Sequence, residues 1–115
     1  MAEKALTRDD SGNTSTITWT GLANGDTGAP LVSFDHADMS AQVDGTFGVG
    51  GSVTLQGSND GANWYALTDP QGNAITKTAA GLEQATEIVK YVRPSVTAGD
   101  GTTSLTVVLF MRRGR

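Results

Sequence analysis

The sequence predicts an all-β domain: a single antiparallel β-sandwich, jelly-roll-like, of about eight short strands. Three observations carry this. Apolar and polar residues alternate with a period of two in several short runs, the pattern of half-buried strands. Turn residues, above all 15 glycines, punctuate those runs at short intervals. No run shows the longer period of an amphipathic helix. Strands joined by short loops bury their apolar faces by packing sheet on sheet or by closing on themselves, so an open barrel is the alternative architecture.

Taken in order, residues 1–14 carry little apolar surface beyond Ala5 and Leu6, and Asp9-Asp-Ser-Gly-Asn13 is polar throughout. The segment reads as a flexible N-terminal arm, leaving 15–115 as the sandwich domain. Ser15–Thr20 is the first strand, with Ile17 and Trp19 on one face and three threonines on the other. Asn24-Gly25 and Pro30 mark a loop before a short strand, Leu31–Phe34. Ser40–Asp44 is the next, followed by a glycine-rich connection in which Phe47 and Val49 are the residues placed to pin it to the core.

The clearest hairpin lies at the centre. Val53 and Leu55 alternate with Ser52, Thr54 and Gln56, Asp60-Gly61 is a strong turn dipeptide, and Trp64–Leu67 reads as the return. Ala74–Thr78 is a further strand, whereas Ala79–Gln84 reads as a short helical turn or an irregular run, since Gly81 disfavours a long helix. Glu87–Arg93 follows, with pairing expected to stop at Pro94, which has no N–H to donate. Thr102–Arg112 is the last and strongest strand: Leu105, Val107, Leu109 and Met111 face one way, Val108, Phe110 and Arg112 the other. The predicted core is therefore Ile17, Trp19, Val53, Leu55, Trp64, Leu67, Leu105, Val107 and Leu109, with Val108 and Phe110 on an outer contact face.

Composition excludes several kinds of chemistry. With no cysteine there is no disulfide framework, thiolate metal site or thiol nucleophile. The longest aliphatic run, Val107–Met111, is far too short to span a bilayer, and the polar start predicts no export signal. Net charge is −4, and all 12 acidic residues lie at or before Asp100, while Arg112, Arg113 and Arg115 close the chain. An acidic body argues against general nucleic-acid binding, which rests on phosphate neutralisation. The basic end reads as a solvated tail or an anchor on an acidic partner.

No catalytic constellation is legible. The single histidine, His36, lies between Asp35 and Asp38, but neither a third metal ligand nor a nucleophile stands near it in sequence, so it is expected in a surface loop. Asn59 and Asp60 have the oxygen chemistry of a calcium site, yet turn chemistry accounts for both. Trp19, Trp64 and Tyr65 read either as core or as a sugar-stacking platform. The expectation is a protein that is not an enzyme and uses no cofactor or metal.

Leu55-Gln-Gly-Ser-Asn-Asp-Gly-Ala-Asn-Trp64, then Tyr91-Val-Arg-Pro94, then Gly99-Asp-Gly-Thr-Thr-Ser-Leu-Thr-Val-Val-Leu109, together resemble the short jelly-roll head decoration, or cement, proteins of tailed bacteriophages. The resemblance covers residues 40–112. The Gly57–Trp64 piece alone is similar also to discoidin-like carbohydrate-binding modules, which makes a glycan-binding or other structural module of a phage tail or appendage the second reading. What the first resemblance implies is a structural virion protein, made in the bacterial host cytoplasm and placed on the outer surface of the head. Its implied partners are the major capsid protein, whose neighbouring subunits it would bridge against internal DNA pressure, and itself, as a homodimer or homotrimer; neither nucleic acid nor membrane is implied. No motif fixes the contacts. They are expected from the arm through Leu6 and Arg8, from Val108 and Phe110, and from Arg112, Arg113 and Arg115.

Overall fold

The computed structural model describes residues 2–33 and 36–113. Phe34, Asp35 and Arg115, each singled out by the sequence, lie outside the described residues. Among the described residues there are twelve strands and no helix. They are β1 (Glu3–Lys4), β2 (Leu6–Ser11), β3 (Thr14–Leu22), β4 (Thr27–Gly28), β5 (Leu31–Val32), β6 (Asp38–Thr46), β7 (Ser52–Ser58), β8 (Tyr65–Ala66), β9 (Thr76–Lys77), β10 (Gly81–Ala85), β11 (Tyr91–Ala98) and β12 (Ser104–Arg112). Five form one sheet in the order β10-β6-β12-β3-β2. The other seven form a second sheet, β1-β4-β11-β7-β8, with β5 also on β11 and β9 also on β7. The count exceeds the expected eight because β4 and β5 along β11, and β8 and β9 along β7, are two-residue pieces, and because the first segment adds β1 and β2.

The two sheets share one core. Ile17, Trp19, Val107 and Leu109 come to it from the five-stranded sheet, and Val53, Leu55, Val92 and Val96 from the larger one. The period-two pattern of β12 holds through the strand: Leu105, Val107, Leu109 and Met111 are buried, while Phe110 is exposed. Trp19 is wholly buried, and its indole N–H donates to the Ala29 carbonyl at 3.0 Å, which meets the polar demand of a buried indole. Gly28 makes this possible. A Cβ there would lie 2.5 Å from both the Trp19 indole nitrogen and the Pro94 ring, so only glycine lets the two side chains meet over the backbone.

The expected arm is instead strand. β2 pairs antiparallel with β3 from Leu6↔Trp19 to Ser11↔Thr14, and β1 pairs parallel with β4, the one parallel pairing among the described residues of a fold expected to be antiparallel. The chain thus passes from one sheet to the other at Ala5. Backbone pairing explains how so polar a segment is held: an edge strand needs ladder hydrogen bonds rather than a buried face of its own. Asp26 adds to the hold. Its carboxylate is buried, accepts the Ala2 and Ala23 backbone N–H groups at 2.9 Å each, and lies 3.7 Å from the Lys4 ammonium.

Three further elements depart from expectation. The segment placed between helical turn and irregular run is strand β10, paired with β6 from Gly81↔Val43 to Ala85↔Met39. Residues 87–90 are not strand, and β11 runs straight through Pro94, which is buried opposite Leu55. Proline is tolerated because of where its missing donor points. The Lys90 carbonyl accepts from Ser33 and the Val96 N–H donates to Asp26, so even-numbered residues of β11 face β4 and β5. Pro94 therefore faces the gap between those two short strands, at Ala29-Pro30, where no ladder bond is lost. Lastly, Phe47 packs on the core but Val49 is exposed; the loop is held by its backbone, through Val49 N–H to Asp100 at 2.8 Å, rather than by that side chain.

Candidate functional site

Of the nine predicted core residues, eight are buried; Trp64 is not. Register gives the reason. Tyr65 stands opposite Gly57 and Ala66 opposite Gln56, so Leu67 shares its face with Tyr65, and Trp64 shares the outer face with Ala66. Residues three apart on a strand cannot both point inward. Trp64 is half-buried under the Arg93 guanidinium, which lies 4.2 Å from its ring centroid and donates from Nε to the Gln56 side-chain oxygen at 3.0 Å. Burial and loss of hydration push the Arg93 pKa down, opposed by the charge of Glu3.

His36, expected on the surface, is buried. Its Nε2 lies 3.2 Å from the Ser15 hydroxyl, which in turn donates to Asp10. Arg8 reaches the same group, donating to Asp10 at 3.0 Å and to Ser15 at 3.4 Å. Serine, histidine and an acid are thus together, but in an order unlike a hydrolytic triad: the serine stands between the acid and the imidazole, and Ser15 is fully buried. The serine hydroxyl bond, then the one from Arg8, hold the Asp10 carboxyl below its ordinary pKa. The arrangement fastens β2 to β3.

Asp60 is likewise committed. Its carboxylate accepts the N–H groups of Ala62 and Asn63, the Asn63 amide and the Ser58 hydroxyl, all within 2.8–2.9 Å. Those bonds hold its pKa well below the usual carboxylate range. Asn59 accepts the Lys90 N–H at 3.0 Å. Asp60 therefore closes the turn and Asn59 ties it to the segment before β11, and among the described residues no three acidic or imidazole side chains come together.

What the molecule presents is surface, and the broadest stretch is the outer face of the five-stranded sheet. Cross-strand register sets out its rows. One runs Leu82, Gln42, Val108, Thr18, Thr7; the next Gln84, Ser40, Phe110, Thr16, Asp9; a third Asp38, Arg112, Thr14, Ser11. The face is dominated by short hydroxyl side chains around an apolar centre. Phe110 is 46% exposed, and a shallow hollow of about 300 Å³ lies beside it, bounded by Asp38, Gln84 and Arg112. Arg112 donates from Nε to Asp38 at 3.1 Å, so its charge is already partnered.

The expected contact residues do not all share this face. Val108, Phe110 and Arg112 do. Leu6 and Arg8 lie on the inner side of β2, Leu6 packed on the core and Arg8 in the network with Ser15. Alternation in the first segment carried the signal: Leu6, Arg8 and Asp10 face in, Thr7, Asp9 and Ser11 out. Arg113 sits by the β2–β3 turn, its N–H donating to the Asn13 carbonyl at 2.8 Å.

A second hollow, of about 360 Å³, opens at one end of the molecule between the 58–65 and 87–89 segments. Tyr65, 72% exposed, stands on its wall opposite Glu87 and Val89. Burial raises the Glu87 pKa, but bonds from the Thr68 hydroxyl and N–H outweigh it and leave the carboxyl below its ordinary value.

No protein-family model matches the chain, and no curated protein matches it. Solved structures do. The SPBc2 prophage-derived protein YomS superposes with a TM-score of 0.64 over 90% of this chain and 97% of that one, at 10% identity. KdgF from Halomonas sp. gives 0.47 over 95% and 78%, at 14% identity. A protein from Neisseria meningitidis, NMB1881, gives 0.45 over 93% and 82%, at 13% identity. At these identities the likeness to YomS is one of fold.

Proposed function

We propose that this chain is a structural protein of a tailed-bacteriophage virion, a decoration protein that lies on the outside of the head and bridges neighbouring major capsid subunits. The observation that carries the reading is the fold shared, over nearly the whole of both chains, with a prophage-derived protein. The strand order supports the finer fold within it. The sequence β3-β12-β6-β10 in one sheet and β4/β5-β11-β7-β8 in the other is the order that eight strands wound as a jelly roll would give, with β2 added at an edge, and it favours that reading. The outer face around Val108 and Phe110 is the proposed capsid contact: broad, rich in hydroxyls, and apolar at its centre. Binding only the expanded lattice would stabilise that lattice by mass action.

The test is co-sedimentation of the purified protein with expanded heads and, separately, with proheads of the phage that encodes it. Saturable binding to expanded heads alone is expected; binding to neither overturns the reading. A second reading, glycan binding, is favoured by Tyr65 on the wall of the end hollow, and a glycan array in which the Tyr65→Ala variant loses a signal that the parent shows would establish it.

A further inference from the structure

β10 is an outer strand of its sheet, with β6 on one side only. Its backbone parity can be read. The Thr86 N–H donates to the Thr68 carbonyl rather than to β6, and alternation then points the N–H and C=O groups of Leu82 and Gln84 to that same open side. The opposite edge, β2, presents Arg8, Asp9 and Asp10 in succession, the charged pattern that discourages strand addition. β10 has no such guard. Leu82 is 64% exposed, and the one acid, Glu83, is turned inward to Lys77 at 3.1 Å.

We propose that two copies of this chain join antiparallel along β10, about a two-fold axis at Leu82. Centring on any of the three interior residues of β10 keeps each face on its own side, and charge together with the free N–H groups selects one. Centring on Glu83 sets the two glutamates against each other. Centring on Gln84 sets Leu82 against Thr86, whose N–H is already taken. Centring on Leu82 sets leucine against leucine on the outer face and places each Glu83 opposite the other copy's Gly81. That glycine is where the Lys77 ammonium lies: a Cβ on Gly81 would be 2.8 Å from Nζ. Each carboxylate thereby reaches a second ammonium, twice over by symmetry. Leu82 opposite Leu82 is then a hydrogen-bonded pair, and Gln84 opposite Ala80 another, joining two five-stranded sheets into one continuous sheet. The pairing concerns the free protein and does not depend on the capsid reading.

The chain has no cysteine, so a single introduced thiol reports the register. In a hydrogen-bonded antiparallel pair the two Leu82 Cα atoms stand about 5.5 Å apart, within disulfide reach. The two Gln84 Cα atoms, four residues along and one strand across, are about 14 Å apart. Sedimentation of the wild-type protein is expected to show a concentration-dependent dimer, and Leu82→Cys to cross-link under mild oxidation while Gln84→Cys does not. Leu82→Pro removes an N–H that no intrachain bond uses, and should weaken the dimer by about tenfold or more. Glu83→Lys should weaken it too, and adding Lys77→Glu should restore it. A wild-type protein that stays monomeric, one that forms trimers, or a Gln84→Cys variant that cross-links as fast as Leu82→Cys overturns the proposal.

Discussion

The Arg93 guanidinium covers the Trp64 ring at 4.2 Å on the outer face of the larger sheet, so the tryptophan that the sequence places in the core is a surface residue with a lid. A cation over a partly exposed indole contributes about 0.5–1 kcal/mol. A double-mutant cycle with Trp64→Leu and Arg93→Gln, followed by urea unfolding, should return a coupling energy of that size. A coupling near zero would mean that the stack is incidental.

Gly28 is the position at which the fold has least room. Gly28→Ala drives a methyl group into the Trp19 indole and the Pro94 ring at once, both rigid and buried. Overpacking of that kind costs about 1–3 kcal/mol. Thermal melts should show the loss, with a shift in near-ultraviolet circular dichroism as Trp19 moves; an unchanged melting point would contradict the contact.

Neighbouring residues of β12 should behave as opposites. Leu109→Ala opens a hole in the core and should cost about 2–5 kcal/mol. Phe110→Ser, one residue on and facing outward, should change stability by about 0.5 kcal/mol at most. If the proposed contact face is right, the same Phe110→Ser protein loses affinity for expanded heads; retained affinity moves the contact elsewhere.

Stability should fall in acid. Hydrogen bonds from Thr102 and from the Val49 N–H pull the Asp100 carboxyl down to about 2, and Asp10, Asp26 and Glu87 are also shifted down. A carboxyl that binds its proton more weakly when folded contributes fully above its unfolded pKa, and that contribution is lost as pH falls through the folded one. The melting temperature should therefore be level above about pH 5 and decline between about pH 4 and pH 2. Asp26→Asn should lower the plateau and flatten the decline. A melting curve that does not move down to about pH 2 would refute the account.

Where side chains alternate, the sequence was readable: β3, β6, β7 and β12 lie where the period of two puts them, because one face of each is buried. β2 was not readable, because Arg8 and Asp10 occupy its inward positions at an exposed edge, and an edge ion pair looks, in sequence, like a solvated run. Pro94 misled for a related reason. A missing N–H breaks a ladder only where a partner strand stands, and the gap at Ala29-Pro30 belongs to tertiary structure. Trp64 turned on a register of one residue, which the loop 59–63 sets and its composition does not reveal. His36 was placed at the surface because its partner, Ser15, is remote in sequence.

The strand at the middle of the five-stranded sheet, β12, is made after the other eleven strands among the described residues. β3 and β6, which it separates, leave the ribosome before the strand that joins them, and until it emerges each has an open edge on that side. Closure of that sheet thus waits on a strand distant in sequence from β3, and open edges of that kind are the ones prone to pair with other chains before they are filled.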